Sequence, residues 1–367
     1  MANEIVLQMD PTPENPRNSE GSFVALRDGR ILFAYTRFTG GGGDDDASDI
    51  AVISSAADGR TWSEPRILVP NRGAQNTMSV SLLRLADGRC ALVYLVKNGF
   101  HDCRPRFLTS EDEGATWSEP VLAIPAPGYF VVNNDRLVQL SSGRLVIPAS
   151  FHRMKGEDAG AWDSFDGRGI AMFFLSDDGG RTWREARTWW ALPVAASSGL
   201  QEPGVVELSR RRLFAFARTS AGYQYGMTSG DGGETWSPPV PTRFIGPCSP
   251  LSMKRIPATS RLGAGDLLAA WNDRSGQFAL PAPAKESWSR TPLVAATSAD
   301  DGRTWHHHRL VEDDPERGFC YTAIHFVDAD GPDAAVLLAY CAGGKPTGSV
   351  LDTLRMRRIG IDWFYEG

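Results

Sequence analysis

Several things are scarce in this 367-residue chain, and each shortage removes a class of function. No apolar run reaches the ~20 residues of a membrane-spanning helix, so no membrane partner is expected. There is no long basic run and the formal net charge is −6, which argues against a nucleic-acid partner. The cysteines number five (Cys90, Cys103, Cys248, Cys320, Cys341) and show no C-x-x-C spacing. An odd, unpatterned set predicts reduced, mostly buried thiols. The opening Met1-Ala2-Asn3-Glu4 has neither a basic n-region nor an apolar h-region, so a cytoplasmic protein is expected, a trimmed secreted form remaining open. His306-His307-His308 is the one metal-like tract. It directly follows a turn, where alternating strand residues point to opposite faces, so a surface strand is expected, with no metal and no cofactor. No linker or low-complexity segment interrupts the chain apart from Gly40 to Asp46.

What is abundant is turn chemistry. The octamer Ser176-Asp177-Asp178-Gly179-Gly180-Arg181-Thr182-Trp183 reads S-x-D-x-G-x-T-W, and the template recurs at Ser110 to Trp117, Ser229 to Trp236 and Ser298 to Trp305. A fifth copy, Ser55 to Trp62, has Ala57 in place of the Asp. Successive tryptophans are 55, 66, 53 and 69 residues apart, and self-similarity at such a period marks a repeat architecture. Asp and Ser bond nearby backbone N–H groups, Gly tolerates positive φ, and Thr-Trp opens a strand with a large apolar anchor. Each copy therefore reads as a structural hairpin turn.

A second signal lies upstream of each octamer. Leu26-Arg27-Asp28-Gly29-Arg30 is a tight turn between apolar runs, repeated at Leu85 to Arg89 and Leu140 to Arg144. Asp-Gly between apolar runs is a strong hairpin signal. Leu208-Ser209-Arg210-Arg211-Arg212 has lost the Gly, a stretched copy surrounds Gly263 to Asp266, and a sixth copy opens at Val327. Each unit reads strand A, tight turn, strand B, variable loop, strand C, octamer turn, strand D. Six units of four strands predict an all-β protein, a six-bladed β-propeller formed by residues 1–367 as one domain. The sixth unit supplies strands near 320–327, 334–341 and 353–359, and Glu4 to Gln8 is expected to close the ring.

This topology sorts residues by face. The A–B and C–D turns share one face; the B–C loops and D-to-A crossovers share the other, where a site can be built. That face gathers Arg17, Arg37, the acidic run Asp44-Asp45-Asp46, Asp135 and Arg136, His152, Glu202, Arg218, Arg290 and Tyr321. Arginines converging from different units suit an anionic ligand, because guanidinium forks match a carboxylate bidentately. A Glu beside a Tyr can take the proton of a phenol whose ordinary pKa, about 10, is too high for a nucleophile at neutral pH.

The octamers resemble the Asp-boxes, or BNR repeats, of the sialidase superfamily, along nearly the whole chain. The order of site residues is similar too. Glu202 opens a strand containing Val205-Val206-Glu207-Leu208 whose partner ends in Arg218, Arg290 precedes the strand leading to a late Asp-box, and Tyr321 opens the last unit. In place of the family's F-R-I-P stands Pro16-Arg17-Asn18-Ser19-Glu20, with Arg17 displaced by about two residues. The resemblance implies an exo-acting, retaining glycoside hydrolase acting on a glycoconjugate that ends in sialic acid or a related acidic sugar. It implies Tyr321 as nucleophile, Glu202 as its base, and Asp44, Asp45 or Asp46 as acid/base, with Asp49 less well placed. Arg17, Arg218 and Arg290 would form the carboxylate clamp and Arg37 would match a further family arginine. A uronic or ulosonic acid substrate, or a non-catalytic lectin-like propeller, uses the same arginines.

Overall fold

A computed structural model describes residues 3–366. Among these residues helix is limited to short 3-10 turns, and strands carry the architecture. Four sheets have four antiparallel strands each. The first runs Arg17–Ala25, Ile31–Phe38, Ser48–Ser55, Arg66–Val69. Another comprises Gln201–Glu207, Leu213–Arg218, Tyr223–Ser229 and Val240–Ile245. Next comes Ser252–Arg255, Leu267–Trp271, Leu293–Ser298 and His306–Glu312. The last orders Cys320–Val327, Ala335–Cys341, Leu354–Gly360 and, outermost, Asn3–Met9. The first described strand thus completes the sheet whose other strands come last in the described residues, paired antiparallel from Asn3↔Ile359 to Met9↔Leu354.

Six separate four-stranded sheets are what the repeat spacing predicts, and here the structure differs. Its second and third units are fused into one nine-stranded sheet. The short strand Tyr129–Val131 causes the fusion, pairing antiparallel with Leu145–His152 and touching Asp102–Ser110 in parallel through Tyr129↔Cys103. Nothing in the repeat pattern marks this segment, because it lies in a connection between units.

The inner strands pack against one another in cyclic order. Arg17–Ala25 meets Asn76–Arg84 on one side and Cys320–Val327 on the other, and Gln201–Glu207 lies between Leu145–His152 and Ser252–Arg255. The apolar layers sit between successive sheets. Phe33, Tyr35 and Ile53 of the first sheet pack with Leu337, Leu354 and Met356 of the last. Val206 and Phe216 pack with Met253, Leu267 and Val294. Each such side chain contributes about 1.5–3 kcal/mol on burial, so the ring is held by layers that no single sheet could form alone. This arrangement is an all-β propeller.

The repeated turns have the expected chemistry. Gly29, Gly88 and Gly143 take φ of 87°, 88° and 90° in the A–B hairpins. In four octamers the Ser hydroxyl donates to the Asp at 2.8–2.9 Å. The same Asp accepts from the Thr backbone N–H at 2.8–3.0 Å and from the Thr hydroxyl at 2.6 Å.

Candidate active site

The first, second, fourth and sixth inner strands share one irregularity. Their pairing shifts between Ser19 and Ser22, Met78 and Ser81, Gln201 and Gly204, and Cys320 and Ala323. Each shift inserts one extra residue, a β-bulge that bends the strand and re-aims a side chain. The residue in the left-handed region is Glu20 (φ 57°), Ser79 (53°), Glu202 (47°) or Tyr321 (59°). Such a backbone costs about 1–3 kcal/mol at a non-glycine residue and persists only where its surroundings enforce it. Gly21 is part of that enforcement, for a Cβ there would lie 2.0 Å from the Phe33 ring.

All four bulge residues line one cavity of about 210 Å³, together with Asp44, Lys97, Tyr129, His152, Trp162, Phe165 and Arg218. These come from the starts of A strands, the ends of B strands, the B–C loops and, for Tyr129, a D-to-A crossover, and no octamer residue is among them. Face-sorting by topology therefore agrees with the geometry.

Glu202 and Tyr321, 119 positions apart, meet there. The Tyr321 hydroxyl donates to Glu202 Oε1 at 3.4 Å, and Arg218 Nη2 donates to the same oxygen at 2.8 Å. Glu202 Oε2 is buried with no hydrogen-bond partner among the described residues. Burial pushes the Tyr321 phenol well above its ordinary range, and the Glu202 charge adds to this, while Arg218 and Arg290 pull the other way. Their guanidinium carbons lie 6.0 and 5.5 Å from the Tyr321 ring centre. Arg290 does not line the cavity. It donates to Cys320 Sγ at 3.1 Å and to the Cys248 carbonyl at 3.3 Å, behind the tyrosine.

The first sheet supplies an acidic cluster. Arg17 is fully buried and does not line the cavity. Its Nε donates to Ser19 at 3.0 Å, Nη1 to Asp44 at 2.6 Å and to the Gly42 carbonyl at 3.2 Å, and Nη2 to Glu20 at 3.1 Å. Burial opposes its charge, but Asp44 and Glu20 more than offset this and raise its pKa. Asp44 lines the cavity and its side chain is half exposed. Burial would raise its pKa, yet Arg17 and then Lys97 and Arg218 hold it below the ordinary value. Asp45 pairs with the buried Lys97 ammonium, and Asp46 accepts the Gly43 backbone N–H at 2.7 Å, closing its own loop.

Of the remaining candidates, His152 lines the cavity. Burial drives its pKa down to about 4, and its ring stacks on Phe165 at 5.0 Å. Arg37 is not in the cavity wall. Asp135 and Arg136 line a different cavity. Asp135 binds Ser22, Lys254 and the Ile324 backbone N–H, tying three sheets together. Arg136 donates to the Leu251 carbonyl, and burial lowers its pKa to about 10.

Sequence reasoning passed over Glu20 and Ser79. A signal for them exists: each bulge residue stands six positions before the residue that opens the next hairpin (26 − 20, 85 − 79, 208 − 202, 327 − 321). Lys97, Tyr129, Trp162 and Phe165 have no such period, since loops and strand ends deliver them.

Comparisons with known proteins bear on the family and the fold. The family model described as BNR repeat-like domain matches residues 29–332. A sialidase of Micromonospora viridifaciens is 27% identical over 311 residues, which is 76% of this chain and 43% of that protein, so the chain spans under half of its curated relative. Among solved structures, the NanB sialidase of Streptococcus pneumoniae superposes with a TM-score of 0.70 at 16% identity, covering 98% of this chain and 71% of that one. The intramolecular trans-sialidase of Ruminococcus gnavus gives 0.71 at 15% identity, covering 99% and 98%. A Dyadobacter fermentans protein of unknown function gives 0.70 at 16%, covering 97% and 99%.

Proposed function

Because the chain belongs to the BNR repeat-like family and is a divergent member of the sialidase superfamily, we propose that it is an exo-acting, retaining glycoside hydrolase. Its substrate in this reading is a glycoconjugate ending in sialic acid or a related acidic sugar. The fold that goes with it is one six-bladed domain, the nine-stranded sheet counting as two blades joined by Tyr129–Val131.

The observation that carries the proposal is the Tyr321–Glu202–Arg218 contact inside the cavity. A phenol so hard to ionise needs its proton removed as it attacks, and the Glu202 carboxylate that accepts its hydrogen bond is the group placed to take that proton. Tyr321 attacks the anomeric carbon, its proton passes to Glu202, and the bond to the leaving oxygen breaks as a carboxyl group on the first-sheet side protonates it. Water then attacks the glycosyl-tyrosine, giving its proton to that carboxylate, and Glu202 returns a proton to Tyr321. A neutral nucleophile suits a carbon that bears a carboxylate, which an Asp or Glu would repel; sialidases are exceptions to the two-carboxylate rule. Arg218 and Arg290 supply positive charge for the carboxylate and for the developing phenolate.

Treatment with a 3-fluoro sialosyl fluoride and mass spectrometry of the peptides tests this. A covalent adduct on Tyr321 is expected; an adduct on Asp44, Asp45 or Asp46, or an inverted product by NMR, overturns the assignment. Tyr321→Phe and Glu202→Gln should each lower kcat severely, and the double variant should be little worse than either, because groups that act as a unit are non-additive.

A further inference from the structure

The leaving oxygen needs a proton donor on the first-sheet side, and the loop aspartates suit that role poorly. A general acid must hold a proton near neutral pH and present it to the cavity. Asp45 is occupied by Lys97, and Asp46 holds its own loop closed. Asp44 does face the cavity but is half exposed and bound to Arg17 at 2.6 Å, a setting that favours its ionised form.

Glu20 stands differently. It is 4% exposed, lines the same cavity, and occupies on its strand the bulge position that Glu202 and Tyr321 occupy on theirs. Its Oε1 meets Arg17 at 3.1 Å and its Oε2 pairs with the Ser79 hydroxyl. One buried cation, Arg17, thus serves two carboxylates. When like charges share a site, one carboxyl keeps its proton, and the one farther from water has more to gain by doing so. We infer that Glu20, rather than any aspartate of the 44–46 loop, donates the proton to the leaving oxygen and then takes one from water. This rests on the retaining mechanism proposed above.

The charge environment agrees. Burial, followed by Asp44 and more weakly Glu202, pushes Glu20 up, against Arg17 and the Ser79 hydrogen bond, to about 7. Tyr321, Tyr129 and Cys341 in turn feel the charge of Glu20. In the first step the Glu20 proton moves to the glycosidic oxygen as the bond to the anomeric carbon breaks and the Tyr321 bond forms. In the second, Glu20 takes a proton from water as hydroxide oxygen bonds to that carbon and the Tyr321 bond breaks. The sum is hydrolysis, with every group restored.

The test compares two leaving groups on the full chain. Glu20→Gln should lose about 10²–10⁴-fold on 3′-sialyllactose, lose far less on a 4-methylumbelliferyl sialoside, whose leaving group needs no proton, and regain rate with azide as a glycosyl azide forms. Asp44→Asn should affect both substrates alike. Ser79→Ala keeps the carboxyl but removes a bond to its ionised form, so the alkaline limb of the rate profile should move to higher pH. A loss on both substrates without azide rescue for Glu20→Gln, or leaving-group dependence for Asp44→Asn instead, overturns the inference. Infrared difference spectra between pH 5.5 and 8.5 need no substrate. A carboxylic-acid band absent from Glu20→Gln is expected, titrating at lower pH in Asp44→Asn because a neighbouring negative charge is gone, and a band insensitive to Glu20→Gln overturns the inference. A wild-type protein that shows the band but turns over neither sialoside would sink the sialoside reading instead.

Discussion

Replacing Ala57 by Asp should stabilise the protein, because the first octamer lacks what the other four have. In those four, one carboxylate accepts three bonds, from the Ser hydroxyl, the Thr N–H and the Thr hydroxyl. At Asp178, burial works against the charge, yet the Thr182 hydroxyl and N–H and the Ser176 hydroxyl hold the pKa down to about 2. In the first octamer the Ser55 hydroxyl is buried with no partner among the described residues. An intramolecular hydrogen bond nets about 0.5–1.5 kcal/mol, and an orphaned buried polar group costs about 1–3. Three new bonds, less the ordering of the side chain and repulsion from neighbouring Asp58, leave a gain of about 1–2 kcal/mol. In thermal unfolding that is a rise in Tm of about 1–3 °C for a chain of this length. Ala57→Asn should recover part of it without the charge, and Asp178→Ala should lose a similar amount. The folded-state pKa of the carboxyl introduced by Ala57→Asp would be depressed, so its gain is present above the ordinary carboxylate pKa and lost as pH falls through the folded value. An unchanged or lower Tm at neutral pH for both Ala57→Asp and Ala57→Asn would refute the view of the octamer as a carboxylate-centred staple.

Two other outcomes follow from the site. Arg218→Ala should weaken binding of an acidic-sugar inhibitor by about 2–5 kcal/mol, as for one member of a buried charge pair, and Arg290→Ala, outside the cavity wall, by less, while Arg211→Ala, on an exposed hairpin turn, should change it little by calorimetry. Glu20 has a folded pKa raised to about 7, so the stability it lends is full below its ordinary pKa, falls between there and 7, and is flat above. The fall is of the order of 3 kcal/mol, and Glu20→Gln should flatten that part of the Tm-against-pH curve relative to the wild type; parallel curves would show that Glu20 is ionised in the folded protein.

Turns and strand order were legible because their causes are local. Asp-Gly hairpins and the S-x-D-x-G-x-T-W octamer carry their own hydrogen-bond partners, so the strands near 320–327, 334–341 and 353–359 appear at Cys320–Val327, Ala335–Cys341 and Leu354–Gly360. Tyr321, Glu202 and Arg218 could be gathered because topology brings strand starts and ends to one face. Fusion of two units through Tyr129–Val131 was not legible, since a three-residue strand has no period of its own. Nor was the separation of Arg17 from the cavity wall. Which donors of a guanidinium are already engaged depends on Gly42, Asp44 and Glu20, brought to it by a bulge and a loop. Glu20 itself was hidden behind its neighbour, as a carboxylate beside an arginine reads as a surface pair until its burial is known.

The outermost strand of the last sheet has a consequence for how the chain is made. Asn3–Met9 leaves the ribosome before the other described strands, and its partner Leu354–Gly360 emerges 345 residues later (354 − 9). At synthesis rates of 5–20 residues per second that is roughly 20–70 s. Throughout that interval the first strand has no ladder to join, and every earlier sheet can form without it. Closure therefore follows the other described sheets, and it makes a non-local β pairing that is intrinsically slow. Until it happens, Leu354–Gly360 presents an open edge that another copy's first strand could occupy. Exchange of Asn3–Met9 between two nascent chains would satisfy the same hydrogen bonds, so dilution during refolding should favour chains closed on themselves over strand-swapped pairs.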